Sequence, residues 1–363
     1  MSILIFILML VVLIVGHEFG HLVAAKLSGM KVPEFGVGFP PKLWGKKIGD
    51  TEYTINALPF GGFVKIVGED ANEASDDPAA FSNRPKLLQA LTLFAGPFSN
   101  VILGFLFFTL AFMSGIPTAF ETSEYAGRLT NERIVIAEVL PKSPAAAAGI
   151  QSGDKVLSIF SNGTETPIER PEVIATLIAE ATGAVVMTVE RKGERLKLEA
   201  LPATGLIENE PERQALGIAS ALVGTLQLPF FEAVAKGFSE TIEKTQMIIV
   251  GMGNLIVSAA TMSADVKNIA GPVGIASLAG DAASFGFGSI LSFAALISLN
   301  LAVLNLLPFP ALDGGRLAFL AVETVIRRPI PSQVANALNT VGFAILILLM
   351  LAVTANDIFR LFA

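Results

Sequence analysis

The chain of 363 residues has no cysteine and only two histidines, and its lysine, arginine, aspartate and glutamate together make up 16%. Without cysteine there is neither a disulfide framework nor a thiolate site, so a bound metal must be held by histidine, carboxylate or water. A soluble domain carries about a quarter charged residues. The shortfall here, with 52% hydrophobic residues and a mean hydropathy of +0.64, describes a polytopic membrane protein with a soluble part. The net charge is -7 and no block of lysine or arginine suits nucleic acid, so no nucleic-acid partner is expected. The first residues lack a basic flank and a small-residue cleavage site, and a retained span is expected there.

The two histidines stand together, in His17-Glu18-Phe19-Gly20-His21, within the apolar run of residues 3–25. Ionisable groups at membrane depth are costly and face a cavity or a partner. Zinc explains the placement, because residues four apart share a helix face and both imidazoles reach one ion while Glu18 meets its water. The alternative is a histidine pair hydrogen-bonded in a helix bundle, with Glu18 a stray interfacial charge.

Four segments are long enough to span a bilayer, at residues 3–25, 91–113, 289–309 and 334–353. Lysine and arginine concentrate between the first two spans (Lys26, Lys31, Lys42, Lys46, Lys47, Lys65, Arg84, Lys86) and between the last two (Arg316, Arg327, Arg328). Both loops are therefore expected to be cytoplasmic, with the N-terminus and the long region 114–288 outside. A fifth apolar stretch, 247–262, contains Gly251, Gly253 and Asn254 and is expected to be interfacial or re-entrant. Before it, Glu232, Lys236, Glu240 and Lys244 recur every four residues opposite Phe231, Val234, Phe238 and Ile242, the pattern of a helix on a membrane surface.

Residues 32–67 alternate short apolar strands with turns, including Gly49-Asp50 and Pro59-Phe60-Gly61-Gly62-Phe63-Val64. Hairpins are expected, either on the surface or dipping into the membrane near the metal. The acidic residues 69–77 read as a solvated loop. From Arg128 to about Ala219 the composition is that of a soluble mixed domain, with strands at 133–139, 185–190 and 195–201, a turn and strand at 153–159, a short helix with its stop at 143–150 and a helix at 171–182. A hairpin is expected around Lys192-Gly193. Its order, above all SPAAAAGIQSGDKVLSI, resembles a circularly permuted PDZ domain, with Leu216-Gly217-Ile218-Ala219 as carboxylate-binding loop and strand. Such a domain takes an extended peptide, often by its C-terminus, at a sheet edge. A compact domain that merely blocks access is the other reading.

A catalytic zinc site needs a third protein ligand, and Asp313 in Asn305-Leu306-Leu307-Pro308-Phe309-Pro310-Ala311-Leu312-Asp313-Gly314-Gly315 is the candidate. Pro308 and Pro310 end the helix, and Gly314 and Gly315 are expected to let the backbone turn back toward the metal. HEFGH, Gly96-Pro97-Phe98-Ser99-Asn100, the PDZ-like insertion, Gly271-Pro272-Val273-Gly274-Ile275 and the Asp313 motif together resemble the site-two protease family of intramembrane zinc metalloproteases (M50 type), most of all its bacterial regulator-of-sigma-E members. The resemblance covers nearly the whole chain. It implies His17, His21 and Asp313 as Zn2+ ligands, Glu18 as catalytic base, and Asn300 and Asn305 as holders of an unwound substrate. Interhelical packing is the alternative for the asparagines. The implied substrates are single-span membrane proteins such as anti-sigma factors, or remnant signal peptides. Gly61, Gly62, Phe63 and Val64 could pair with the substrate as a strand edge, and Gly96 and Asn100 could bring helices close beside the metal.

The fold expected is thus a polytopic α-helical membrane protein of four transmembrane helices with a membrane-associated β-hairpin region and an inserted extracytoplasmic α+β PDZ domain. Its segments are 1–27 (first span), 28–90 (cytoplasmic hairpin loop), 91–116 (second span), 117–222 (PDZ), 223–288 (amphipathic or re-entrant), 289–315 (third span and its turn), 316–333 (cytoplasmic loop) and 334–363 (fourth span). The expected location is a bacterial inner membrane, with the lipid bilayer itself as a partner and the site toward the cytoplasm. A zinc transporter or sensor, or a catalytically silent PDZ scaffold, would share parts of this pattern.

Overall fold

The computed structural model describes residues 2–69, 76–119, 126–191, 193–207, 210–261 and 271–362. Residues 70–75 of the acidic loop, Lys192 and Met262 lie outside them. In chain order the elements begin with α1 (Ser2–Leu27), β1 (Glu34–Ile48), β2 (Thr51–Lys65), α2 (Lys86–Ser114) and β3 (Ile116–Ala119). There follow β4 (Thr130–Val139), α3 (Pro144–Ala147), β5 (Lys155–Ser161), β6 (Thr164–Pro167), α4 (Pro171–Ala179), β7 (Val185–Arg191), β8 (Glu194–Ala200) and β9 (Ile218–Leu226). The chain ends in helices α5 (Phe230–Ala260), α6 (Pro272–Ser284), α7 (Phe287–Asn305), α8 (Asp313–Ile326) and α9 (Ser332–Phe362). They form two compact units, Gly115–Leu228 and the remainder.

In the helical unit, α1, α2, α7 and α9 are each long and apolar enough to cross a membrane. α2 is the hub, packing against α1, α5, α7 and α8. Gly16 and Gly20, four apart on α1, let α2 approach: a Cβ on Gly16 would strike Leu103, and one on Gly20 would strike the Ala95 carbonyl and Ser99. Small residues at this spacing are how helices pack closely in lipid. Ser99 Oγ donates to the Gly16 carbonyl (2.8 Å), and Ser298 Oγ on α7 donates to the Asn100 carbonyl (2.7 Å).

The expected hairpins are one long pair of strands. Residues 34–37 face 52–55 on one side and 65–62 on the other, while 42–48 pair back onto 56–51. Segment 61–65 is therefore an edge. Leu22 and Ala25 of α1, Phe35, Ile66 and Leu93 form the buried cluster that holds these strands against α1 and α2. Arg316 of α8 donates to Glu69 Oε1 (2.5 Å) and to its carbonyl (2.9 Å), and Lys86 at the start of α2 pairs with Glu323 of α8 (2.6 Å). The two basic loops thus share one end of the bundle.

Two expectations change and a third narrows, from interfacial or re-entrant to a helix that runs on. The third span stops at Asn305 rather than 309, because the two prolines beyond it lack the N–H that a helix needs. Residues 316–333 are not plain loop, since α8 begins at Asp313 and runs to Ile326, with Leu320 turned inward. Residues 247–260 continue the amphipathic helix without a break, so α5 has no re-entrant turn among its described residues. Gly251 and Gly253 meet nothing within 4 Å, and a helix interior tolerates each at a cost of about 1 kcal/mol. Along the first half of α5, Ala233, Gly237 and Thr241 are buried and Glu240 bridges Lys236 (3.8 Å) and Lys244 (3.6 Å), the i,i+4 pattern of the sequence.

The Gly115–Leu228 unit is a seven-stranded sheet of order β3-β9-β4-β5-β7-β8, with β6 on β5. Its core gathers Ile136, Ile159, Ile174, Val185, Met187 and Leu216 under α4. β3 and β6 were not expected; both are four-residue strands, too short for an alternating pattern to register. β3 covers β9 only at residues 223–226, so 218–222 have no strand on that side among the described residues. A cleft of about 290 Å³ lies there, walled by Ile174 and Ile178 of α4 and by Leu206, Ile207 and Gly217.

Asp154 is the internal fastener of this unit. Its side chain is 1% exposed and accepts from Arg191 Nε (2.6 Å) and Nη2 (2.7 Å) and from the Gln151 N–H (2.9 Å). The bond to Asp154 raises the pKa of the Arg191 guanidinium. Asp154→Ala should destabilise the unit by about 1–3 kcal/mol, because it strips the acceptor from the Arg191 guanidinium and the Gln151 N–H. Hydrogen exchange on the full chain, read at β4, β5 and β7, checks this. Unchanged protection there would refute it.

Candidate metal centre

His17 and His21 occupy one face of α1, and α8 delivers Asp313 to them. His17 Nε2 lies 3.0 Å from Asp313 Oδ2, His21 Nε2 lies 3.4 Å from the same oxygen, and the two Nε2 atoms are 3.2 Å apart. Three atoms bound at about 2.0–2.1 Å to one tetrahedral ion would stand roughly 3.3 Å from each other. The donor set and its spacing fit zinc.

The imidazole orientations agree. His21 Nδ1 is 2.8 Å from the Thr92 carbonyl, which only accepts, so Nδ1 carries the proton and Nε2 presents its lone pair to the cluster. Asp313 Oδ2 is buried without a hydrogen-bond partner. A lone pair facing a carboxylate oxygen calls for a cation between them. His17 Nδ1 lies 3.3 Å from the Asn100 amide nitrogen, and Asn100 Oδ1, fully buried, has no partner. The two ends of a carboxamide have the same shape. Exchanging the amide's ends lets Asn100 Oδ1 accept from His17 Nδ1–H, satisfies the orphan oxygen and turns the His17 lone pair toward the metal.

Gly96 is indispensable to this geometry, because a Cβ there would fall on the His21 imidazole. Gly314 and Gly315 play a different part from the turn expected of them. Neither has positive φ; a Cβ on either would run into the carbonyls of Leu306, Leu307 or Phe309. They allow close approach, and the left-handed residue of the turn is Ala311, with φ of 76°.

Glu18 is half-buried, and its Oε2 accepts from the Val64 N–H of β2 (3.1 Å). The edge 61–65 thereby reaches the site: Gly62 lies beside Glu18 Cγ, and Gly61 beside Ile14. The Phe63 ring stacks on Phe39, 6.3 Å between centroids. A cavity of about 250 Å³ opens here, lined by Ile14, His17, Glu18, Asn100, Asn305 and Asp313 among others. Asn305 is in it. Asn300 is not among its lining residues, and its amide donates to the Leu296 carbonyl of its own helix (2.8 Å). Pro308 is exposed and Pro310 half-buried, both in the turn before Asp313. The Thr92 carbonyl went unnoticed in the sequence, since a backbone acceptor leaves no composition signal. Gly16 and Gly20 did leave one, their four-residue spacing around the histidines.

Apolar helices around a buried His-His-carboxylate cluster define a helical membrane protein with an internal site fit for a divalent metal. Comparison with known families carries this further: the profile described as "Peptidase family M50" matches residues 5–349. The chain belongs to that family. A provisionally named zinc metalloprotease of Clostridium perfringens is 37% identical over 347 residues, covering 95% of each chain. One of Nostoc sp., likewise provisionally named, is 33% identical over 355 residues, 96% of this chain and 93% of the relative. The zinc metalloprotease RasP of Geobacillus kaustophilus is 29% identical over 439 aligned positions, 99% and 98%.

Proposed function

We propose that this member of peptidase family M50 is a zinc metalloendopeptidase that cuts single-span membrane proteins within their transmembrane segments. The observation that carries this is the convergence of His17, His21 and Asp313 beside Glu18 on helices apolar enough to cross a membrane. The three would be the zinc ligands and Glu18 the catalytic base. When bound, zinc supplies a water acidified toward neutrality and polarises the scissile carbonyl. Val64 holds Glu18 Oε2, which leaves Oε1 to take the water proton and pass it to the leaving amine. Asn100 and Thr92 fix the imidazole tautomers.

A substrate helix must unwind before its peptide bonds are open to attack. The edge 61–65 offers an extended segment backbone pairing next to Glu18, and Asn305 can donate to and accept from the freed peptide groups. Asn300 would join only after releasing Leu296. The site faces the cytoplasm in this reading, with the N-terminus and the Gly115–Leu228 unit outside a bacterial inner membrane. The shared end of the two basic loops supports that orientation. The Gly115–Leu228 unit would act as a PDZ domain, an extended C-terminal peptide adding to 218–222 of β9 with its carboxylate at Gly217.

The test uses the purified full chain in detergent with a model single-span substrate. Mass spectrometry should place the cut inside the apolar segment, a chelator should stop it, and zinc should restore it. Cleavage indifferent to chelation, or confined to soluble substrates, would overturn the proposal.

A further inference from the structure

Asp313 is held at the end of a short turn that its own backbone bonds do not fully secure. Between Leu307 and Leu312, Pro308 and Pro310 have no N–H to give. Leu307 donates to the Leu304 carbonyl, Phe309 to that of Leu307 and Leu312 to that of Phe309. The remaining donor is Ala311, and its N–H goes to Asn339 Oδ1 on α9 (3.1 Å). Ala311 sits at φ of 76°, a conformation that costs a residue with a Cβ roughly 1–2 kcal/mol. Such a conformation persists only where surroundings impose it.

One turn further along the same face of α9, Gly342 receives Pro310. A Cβ on Gly342 would stand 2.6 Å from the Pro310 carbonyl oxygen and 2.8 Å from its Cβ. Asn339 therefore anchors the turn from one side of Ala311 while Gly342 admits it on the other. Elsewhere α9 turns much of its surface outward, with Leu338, Val341, Phe343 and Ile345 exposed. Asn339 and Gly342 lie at the place where α9 meets the approach to Asp313.

We propose that Asn339 is a positioning residue for the third metal ligand: its side-chain oxygen, with the close approach allowed by Gly342, sets the 309–312 turn so that Asp313 Oδ2 meets His17 and His21. The inference rests on Asp313 being a zinc ligand. Asn339 touches neither metal nor substrate and acts through Ala311.

Zinc affinity of the purified full-length protein, measured by competition with a chromophoric chelator, tests this without any substrate. Asn339→Leu should weaken zinc binding 10- to 100-fold, the usual cost of losing support behind a ligand. Asn339→Asp keeps an acceptor oxygen and should stay within about threefold. Gly342→Ala should weaken binding like Asn339→Leu, and Leu338→Ala should leave it unchanged. In an Asp313→Asn background, Asn339→Leu should add nothing, which a general packing defect would not obey. If the leucine variant does not purify as a monodisperse protein, Asn339→Ala removes the acceptor without bulk and carries the same expectation. Wild-type affinity in the variant that purifies, or an equal loss with and without Asp313, overturns the positioning role. Unchanged affinity in Asp313→Asn alone would instead refute Asp313 as a ligand.

Discussion

Glu18→Gln is expected to abolish cleavage, by at least about a thousandfold, while zinc stays bound at one ion per chain. Glutamine has the shape of glutamate, and its amide oxygen can still accept from Val64 N–H, so the contact between α1 and the strand edge survives. The substitution removes one property, the ability to take a proton from water. His17, His21 and Asp313 do not depend on Glu18 for their mutual spacing, so metal analysis should match the wild type. Cleavage of a single-span substrate above a tenth of the wild-type rate would show that another group is the base. Loss of zinc together with activity would make Glu18 a ligand. The variant also serves in cells, because uncleaved substrates should accumulate in its membranes.

The site was legible where its chemistry is local. HEFGH in an apolar run marks two candidate ligands four residues apart with a candidate base between them, and N-x-x-P-x-P-x-L-D-G marks where the third candidate ligand, Asp313, follows a span. What stayed hidden is what neighbours decide. The pairing of residues 34–37 with two different segments of β2 depends on contacts up to about thirty residues away, which a two-residue alternation does not encode. Gly314-Gly315 looked like a turn because glycine permits one, yet both are helical and are glycine because carbonyls of the preceding turn lie where a Cβ would be. Asn300 and Asn305 looked equivalent, but five residues along a helix is about 500° of rotation, so one faces the cavity while the other bonds to its own helix. The span count survived because hydropathy needs no partner, and the helix α8 escaped it because fourteen residues are too few to cross.

Gly96→Ala is expected to cost zinc affinity about a hundredfold or more, and cleavage with it, from the addition of one methyl group. The new Cβ would occupy the space of the His21 ring. The ring has no good escape. Its Nδ1 is tethered to the Thr92 carbonyl one helical turn before Gly96, and its Nε2 faces His17 and Asp313. The helices have little room to part either, since Gly16 and Gly20 already bring α1 against Leu103, Ala95 and Ser99. Relief must come from rotating His21 out of the cluster, which leaves two ligands where a catalytic site needs three. Gly251→Ala is the matched control: it sits in a helix interior with nothing within 4 Å, so zinc binding should be unchanged and helix propensity should gain up to about 1 kcal/mol. Chelator competition on the two variants decides the matter. Equal zinc affinity in Gly96→Ala and wild type would mean that His21 is not held against α2 as described, and the His21–Thr92 tautomer argument would fall with it.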